Sequence, residues 1–494
     1  MAKRLFYGDN LDVLRKKFKD ETVDLCYIDP PFNSKRNYNQ IYNNVGREDR
    51  AQAQAFMDTW TWDDRAIAGF DEILGNAEGR FQPTLIDLIK GLQPVLGKGS
   101  LLAYMVSIAL RITEIRRVLK PTGSFYFHCD PTASHYVKLL LDAIFVQGGG
   151  DFLNEIIWHY LKWSVAQHQF VSNHDTIFFY SKSADAERVF NTLFVERSPA
   201  TKVRFGNAKI VSSHNSRGER KPSETSGVSK GVAMDDVWDI SRVPPIKQLY
   251  PTEKPPVLLE RLIRASTNNG DLVLDAYCGC GTTVAVAEQL RREWVGIDIT
   301  YQSVSVILRR LEQEFGGKLA DSVVLDGIPK DMKSAIALAH KKDDRLRKEF
   351  EKWAVLTYTN NRAVINDKKG GDGGIDGRAF FKTGKSENER IVFQVKSGEV
   401  DRGEIAKLKG DMATEEAVLA VMITLQEPTG GATKEAKKAG QFKHEDMGRS
   451  YDRVSIVTVR EIVEEGKRLE IPMSLEVLKA ARLAADAEQP DMLD

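Results

Sequence analysis

The segment from Leu272 to Asp298 constrains this chain most. Leu272-Val273-Leu274 is a short apolar strand that ends at an acid, Asp275. The turn Ala276-Tyr277-Cys278-Gly279-Cys280-Gly281 follows, a helix runs from Thr282 to Arg292, and a second strand, Trp294-Val295-Gly296-Ile297, ends at a second acid, Asp298. Two glycines one residue apart let the backbone turn tightly and approach a ligand. An acid at the end of the second strand of a doubly wound sheet is placed to bind ribose hydroxyls. The unit therefore predicts an open α/β sheet with a site for an adenosine-containing cofactor, lined by Asp275, Tyr277, Gly279, Gly281, Thr282 and Asp298. The third glycine of the dinucleotide fingerprint is missing, which argues against NAD and FAD.

The first half of the chain shows the same alternation. Val23 to Ile28 reads as a buried strand that must stop at Asp29-Pro30-Pro31, because consecutive prolines cannot donate to a ladder. Residues 101–119 read as an amphipathic helix ended by Pro121 and Gly123, Ser124 to Cys129 as a strand, and His135 to Phe145 as a helix. Ile156 to Trp158 and Thr176 to Tyr180 read as further strands. Residues 195–230 differ: they are polar and loop-like, with Arg197, Lys202, Arg204, Lys209, Arg217, Arg220, Lys221 and Lys230 against few acids. That pattern fits either a DNA-facing insert or a solvated charged loop. After Pro251 the α/β pattern returns, with a helix over 301–315. A highly charged stretch over 330–350 begins as a linker helix, and a separate α/β module follows.

With 494 residues, two or three domains are expected. The boundaries drawn are 1–160 and 251–330 for the two halves of one domain, 161–250 for an insert between them, 331–345 for a linker, 346–475 for the second module and 476–494 for a terminal helix and tail. Apolar residues make up 42% and charged residues 28%, a normal soluble balance. No apolar run is long enough to span a bilayer, so no membrane partner is expected. The N-terminal residues lack a signal-peptide core. Cys26, Cys129, Cys278 and Cys280 sit on or beside apolar segments without zinc-ligand spacing, which fits a reduced, cytoplasmic setting. Formal net charge is zero, so any nucleic-acid binding must rely on local clusters of basic residues.

Asp29-Pro30-Pro31-Phe32 is the sharpest chemical signal. An exocyclic base amine is a poor nucleophile because its lone pair is delocalised into the ring. The Asp29 carboxylate and the Pro30 carbonyl are two acceptors that can draw such a nitrogen towards tetrahedral geometry, and Pro31 helps stiffen the turn that carries them. Phe32 offers a stacking face for an extruded base.

These two half-sites together resemble the DNA amino-methyltransferases. The catalytic motif comes first, a variable region next and the cofactor motif last, as in the permuted β group of that family. Gly8-Asp9-Asn10, Tyr27 to Ser34, Leu119 to His128, Phe152 to Trp158 and Pro251-Thr252-Glu253-Lys254-Pro255 fit its segments. At 275–283 the chain carries Ala276-Tyr277 where the family favours Pro-Phe, and Cys280 where it favours Ser. The resemblance implies a permuted Rossmann-like methyltransferase fold with an inserted target-recognition region, S-adenosylmethionine as cofactor and double-stranded DNA as substrate. It also implies that Asp9 contacts the cofactor adenine, that Thr252 and Lys254 flank its methionine end, and that 195–230 contacts DNA. Asp at position 29 favours N6 of adenine over N4 of cytosine, which stays open as an alternative. The β group often pairs through its catalytic domains, so a homodimer is one expected state. Trp60 and Trp62 read as core aromatics before they read as a DNA clamp or dimer contact. His128, His168 and His174 read as structural or solvent-facing.

In the second module, Gly373-Gly374-Ile375-Asp376-Gly377 precedes a strand, Ile391-Val392-Phe393-Gln394-Val395-Lys396. Asp376 and the Gln394 side chain offer oxygen ligands to Mg²⁺, Lys396 can position an attacking water, and Glu351 can add a carboxylate. The pattern resembles the Mrr-like branch of the PD-(D/E)xK nucleases and implies a smaller α/β restriction-endonuclease-like domain. Three readings follow: a methyltransferase with a nuclease-like appendage, a bifunctional restriction–modification enzyme, and a non-catalytic DNA-binding scaffold with a restriction or defence-system partner.

Overall fold

The computed structural model describes residues 3–31, 60, 62–162, 168–211, 224–244, 253–340, 344–366, 374–383, 387–444 and 448–471. Strands β1 (Arg4–Tyr7), β2 (Val23–Ile28) and β3 (Leu119–Cys129) place apolar side chains alternately on two faces. Leu5, Leu25 and Tyr126 join one buried cluster, whereas Phe6, Cys26 and Phe125 join a second. A sheet buried on both faces needs helices on both sides. The second cluster is covered by α1 (Asn10–Lys17), α2 (Asp64–Gly75), α3 (Pro83–Leu96), α4 (Ser100–Val118) and α5 (Ser134–Leu141). Trp60 packs edge-on against Tyr104 and Trp62 against Phe70, so both are core aromatics.

Several boundaries differ from the sequence reading: the helix expected to reach Arg292 ends at Gln289, and two others have a local physical cause. Pro121 and Gly123 do not follow the helix as loop residues; they lie within β3, where its register against β2 slips between Val23 and Leu25. A bulge of this kind tolerates a residue with no N–H. The helix expected to reach Phe145 ends at Leu141 and continues as a π-helical turn, Asp142–Val146, with Gln147 N–H donating to the Asp142 carbonyl at 3.1 Å.

Strands β4 (Asp151–His159) and β5 (His174–Ser181) extend the sheet, and β5 runs antiparallel to both β3 and β4. The stretch expected to be loop-like carries β6 (Phe194–Val195), α6 (Pro199–Phe205), β7 (Ala208–Val211), β8 (Glu224–Val228) and β9 (Val232–Ala233), paired as β6–β9 and β7–β8. Val195 of β6, Val203 of α6, Val228 of β8 and Val232 of β9 are exposed, so at these positions no buried face imprints an alternation on the sequence. The insert closes with β10 (Val237–Asp239), which joins the main sheet beside β4.

The remainder of the sheet comes from β11 (Leu272–Asp275), β12 (Glu293–Asp298) and β13 (Val324–Asp326), giving the order β10-β4-β5-β3-β2-β11-β12-β1-β13. Helices α7 (Pro256–Ser266), α8 (Thr282–Gln289) and α9 (Tyr301–Phe315) contribute Leu258, Val284 and Val304 to the first cluster. Two short helices, α10 (Gly317–Ser322) and α11 (Met332–Ala339), lead to α12 (Asp344–Tyr358). A second sheet follows: β14 (Val364–Ile365), β15 (Gly377–Thr383), β16 (Glu387–Lys396), β17 (Leu419–Thr424) and β18 (Val454–Thr458), in that spatial order. Its outer face packs on α13 (Arg402–Thr414) and α14 (Gly430–Lys437) through Val392, Ile405, Leu408 and Ala432. Phe350, Trp353 and Phe393 belong to the same buried cluster as Leu5 and Val304, so apolar packing runs unbroken from one sheet to the other. Among the described residues, no helix is long and apolar enough to cross a membrane.

Candidate active site

Strand order brings the two half-sites together. β2 and β11 are parallel neighbours, with Tyr27 opposite Asp275. Two residues beyond Tyr27 stands Asp29, so both acids emerge at the carboxyl edge of the sheet, where open α/β folds bind ligands. One oxygen of Asp29, Oδ2, is ion-paired with Lys254 Nζ. The other, Oδ1, is buried and has no hydrogen-bond partner among the described residues. Pro30 is buried and Pro31 half-buried; Phe32 and Thr252 lie outside the described residues.

The glycine turn is held from beneath. Asp298 is buried; its Oδ2 accepts from Gly279 N–H at 2.9 Å, and its Oδ1 accepts from Thr300 N–H at 2.9 Å and the Thr300 hydroxyl at 3.2 Å. Burial pushes the Asp298 carboxyl up to about 6 against these hydrogen bonds. Asp275 accepts from Tyr277 N–H at 3.0 Å. Burial drives its carboxyl up to about 7, bonds from Thr283 and Tyr277 oppose the shift, and the charges of Asp29 and Asp298 add to it. Gly279 and Gly281 both have positive φ, +51° and +74°. A Cβ on Gly279 would meet nothing closer than the Tyr277 carbonyl at 3.9 Å, so the space before it is open. A Cβ on Gly281 would lie 2.6 Å from Ile307 of α9.

Several supporting residues carry no sequence signal beyond the motifs around them. Asp9 caps α1 through Leu11 N–H at 2.8 Å and pairs with Arg111 of α4 at 3.0 Å. Asn10 donates to the Ala276 carbonyl at 2.8 Å, stitching the start of α1 to the glycine turn. Arg310 of α9 donates to the Thr282 hydroxyl at 2.8 Å and pairs with the buried Glu253, which fixes the segment carrying Lys254. The sequence reading put Lys254 beside Thr252 at the cofactor; here it pairs with Asp29. His128 is fully buried, with Nδ1 2.8 Å from Tyr27 Oη and Nε2 3.4 Å from Asp175 Oδ2, and Tyr160 donates to Asp175 at 2.9 Å. Burial pushes the Asp175 carboxyl up, but His128, Lys254 and Tyr160 together bring it down to about 2.

Two of the insert's basic residues have contacts within the insert itself. Arg197 donates to the Gly206 carbonyl at 3.1 Å and Lys202 pairs with Glu196 at 2.7 Å. Arg204 lies on α6 and Lys209 on β7, but their side chains are outside the description, as are Arg217, Arg220 and Lys221 altogether.

In the second sheet, Gly377 pairs with Phe393, which sets Asp376 beside Gln394. Asp376 Oδ2 accepts from Val395 N–H at 2.7 Å. Burial pushes its carboxyl up to about 7; the charge of Glu351 adds, whereas Val395 N–H, Lys396 and Lys348 oppose. Gln394 is buried, and its Oε1 has no hydrogen-bond partner among the described residues. Lys396 pairs with Glu404 at 3.1 Å. Asp376, Gln394 and Lys396 thus share one strand-end region, and the charge of Glu351 on α12 reaches it. Among the described residues, no group of three or more His, Cys, Asp or Glu is arranged to hold a metal ion.

Comparison with known proteins gives two family matches. A DNA methylase family model covers residues 23–309, and a restriction endonuclease model covers 346–448. Over 210 residues the chain is 30% identical to the Type II methyltransferase M.HpaI of Haemophilus parainfluenzae, a match covering 42% of this chain and 59% of that protein. Over 315 residues it is 26% identical to the DNA adenine methyltransferase YhdJ of Escherichia coli K12, covering 63% and 83%. A DNA modification methylase of Thermus thermophilus, solved with S-adenosyl-L-methionine, aligns at 16% identity with a TM-score of 0.35, covering 66% of this chain and all of that one. The methylase model spans more than half of the 494 residues and contains both Asp29 and the 275–298 unit, and on that match the chain belongs to the DNA methylase family.

Proposed function

We propose that this chain methylates N6 of adenine in double-stranded DNA, using S-adenosylmethionine and an extruded target base. The observation that carries the proposal is Asp29 Oδ1, a buried acceptor with no partner among the described residues, one strand away from the glycine turn. Leaving a buried acceptor unpaired costs about 1–3 kcal/mol, which a substrate N–H would recover. The residues also fit the cofactor: Gly279 leaves open space beside its backbone, Asp298 holds that turn from beneath, and Asp275 and Asp9 bring further carboxylates to the same edge of the sheet. When bound, S-adenosylmethionine supplies an electrophilic methyl group on a sulfonium.

The chain's own residues supply positioning. Asp29 and the Pro30 carbonyl each accept one N–H of the target amine, which localises the nitrogen lone pair and aims it. Asp29 is also placed to take the proton that the nitrogen must lose. Lys254 fixes the carboxylate and balances its charge, and Arg310 through Glu253 fixes Lys254. Similarity to a protein named as a DNA adenine methyltransferase supports adenine over cytosine. Residues 161–250 are the segment we assign to target recognition. Digestion of methylated genomic DNA to nucleosides, followed by mass spectrometry, tests the reading. N6-methyladenine is expected from the wild type, with a loss of at least about a thousandfold in Asp29→Ala. N4-methylcytosine would correct the base, and wild-type turnover by the mutant would refute the mechanism.

A second activity, Mg²⁺-dependent DNA cleavage, is favoured by Gln394 Oε1, which has no partner among the described residues and lies beside the carboxylate of Asp376. Both are hard oxygen donors of the type that Mg²⁺ selects. A cation held by Asp376 and Gln394 would polarise a phosphate oxygen, and Lys396 and Glu351 would orient the water.

A further inference from the structure

The N-terminus of α9 stands directly behind the glycine turn. A helix leaves its first backbone N–H groups without internal acceptors. In α9, the Thr300 side chain accepts from Ser303 N–H at 3.1 Å, while Thr300 itself donates to Asp298. Tyr301 N–H is answered from outside the methylase sheet: it donates at 2.9 Å to Glu349 Oε2 on α12, the helix that opens the nuclease-like module. Glu349 is buried, and its other oxygen pairs with Lys352 at 3.0 Å. The Tyr301 ring packs edge-on against Tyr7 at 6.2 Å, and its hydroxyl lies 3.2 Å from Thr357 Oγ1 of α12. Tyr7 is the residue paired with Asp298 across the sheet. Burial raises the Tyr7 phenol, and the charges of both Glu349 and Asp298 reach it. The links therefore run from Gly279 to Asp298, to Thr300, to Tyr301 and to Glu349.

We propose that Glu349 is a positioning residue for the S-adenosylmethionine site: it pins the start of α9, and through Thr300 holds the Asp298 carboxylate under the glycine turn. The nuclease-like module is then part of the machinery that binds the methyl donor. The inference rests on the reading of 272–298 as that donor's site. Coupling between sites is reciprocal, so the bound donor also tightens the junction between the two modules.

Calorimetric titration of the full chain with S-adenosylmethionine, together with steady-state kinetics, tests the proposal. Glu349→Ala is expected to raise Kd and the donor's KM about tenfold while kcat at saturating donor changes less than twofold. Glu349→Gln keeps an acceptor for Tyr301 N–H and is expected to recover most of that loss. Arg362→Ala breaks the 3.0 Å pair between the segment after α12 and Glu312 of α9, farther along the same junction, and is expected to leave Kd unchanged. If Glu349→Ala does not fold, Glu349→Asp keeps the charge beside Lys352 but falls short of Tyr301, and it should reproduce the Kd shift. Donor affinity equal to wild type in a folded Glu349→Ala or Glu349→Asp chain overturns the proposal. An equal loss in Arg362→Ala also overturns it, because the effect would then belong to the contact as a whole. A wild-type chain that binds no S-adenosylmethionine removes the donor-site reading itself, and the proposal with it.

Discussion

Asp275 carries a folding burden that a purely structural residue would not. Its carboxyl is raised to about 7, chiefly by burial, from an unfolded value near ~4. Between those values the folded chain holds a proton that the unfolded chain lacks. Its contribution to stability is therefore most favourable at low pH and is lost as pH rises through about 7. Asp275→Asn removes the charge and keeps an acceptor, so thermal unfolding should occur at higher temperature than wild type at pH 8, with the gap closing towards pH 5. The same variant should bind S-adenosylmethionine more weakly; a gap in unfolding temperature independent of pH would contradict the assignment. At this scale the sequence disclosed the acids but not their neighbours. Asp29, Asp275 and Asp298 were readable because each ends an apolar strand. Lys254 as the partner of Asp29 and Glu253 as the partner of Arg310 depend on which strands lie side by side, and no local pattern encodes that.

Two glycines one residue apart make separable demands on the turn before α8. Gly281 faces Ile307 and Gly279 faces open space. Gly281→Ala adds a left-handed backbone penalty to a steric clash, so it should cost about 2–4 kcal/mol and lower the unfolding temperature clearly. Gly279→Ala should cost only about 1–2 kcal/mol of stability, from the backbone alone, yet weaken donor binding more than Gly281→Ala does. Parallel melting and donor titrations of the two variants check this crossing of effects. Elements with a buried face were legible: α9 spans the expected 301–315, and β11 and β12 flank the glycine turn as read. Elements without one were not. The ribbons β6–β9 and β7–β8 have exposed valines, and the π-helical turn after α5 replaces one hydrogen-bond spacing with another without any change of residue type.

At the scale of the molecule, two sheets with different chemistry share one apolar cluster, and the acids of each sit at strand ends. The Asp376 carboxyl, raised to about 7, must give up its proton to hold a cation, so Mg²⁺ affinity should rise between pH 6 and pH 8. Calorimetry at several pH values reads this directly. Lys396→Ala should abolish Mg²⁺-dependent cleavage while leaving methylation intact; cleavage retained by that variant would exclude the assigned role. Both modules were legible from their motifs, but the junction between them was not. The sequence shows a helix over 301–315 and a charged linker helix beginning in 330–350, and neither pattern says which helix faces which.

Within the segment that we assign to target recognition, the chain leaves the main sheet after β5 and returns to it as β10 beside β4. Both of its attachment points are thus strands of the scaffold, on the side of the sheet away from β11 and β12. Asn191 also donates to the Arg264 carbonyl of α7 at 3.0 Å, and exchange of the chain beyond that contact is expected to leave Asp29 and the glycine turn in place. If the segment reads the target, an enzyme pressed to mark new sequences with unchanged chemistry could vary it there, between two strands that the catalytic edge does not use.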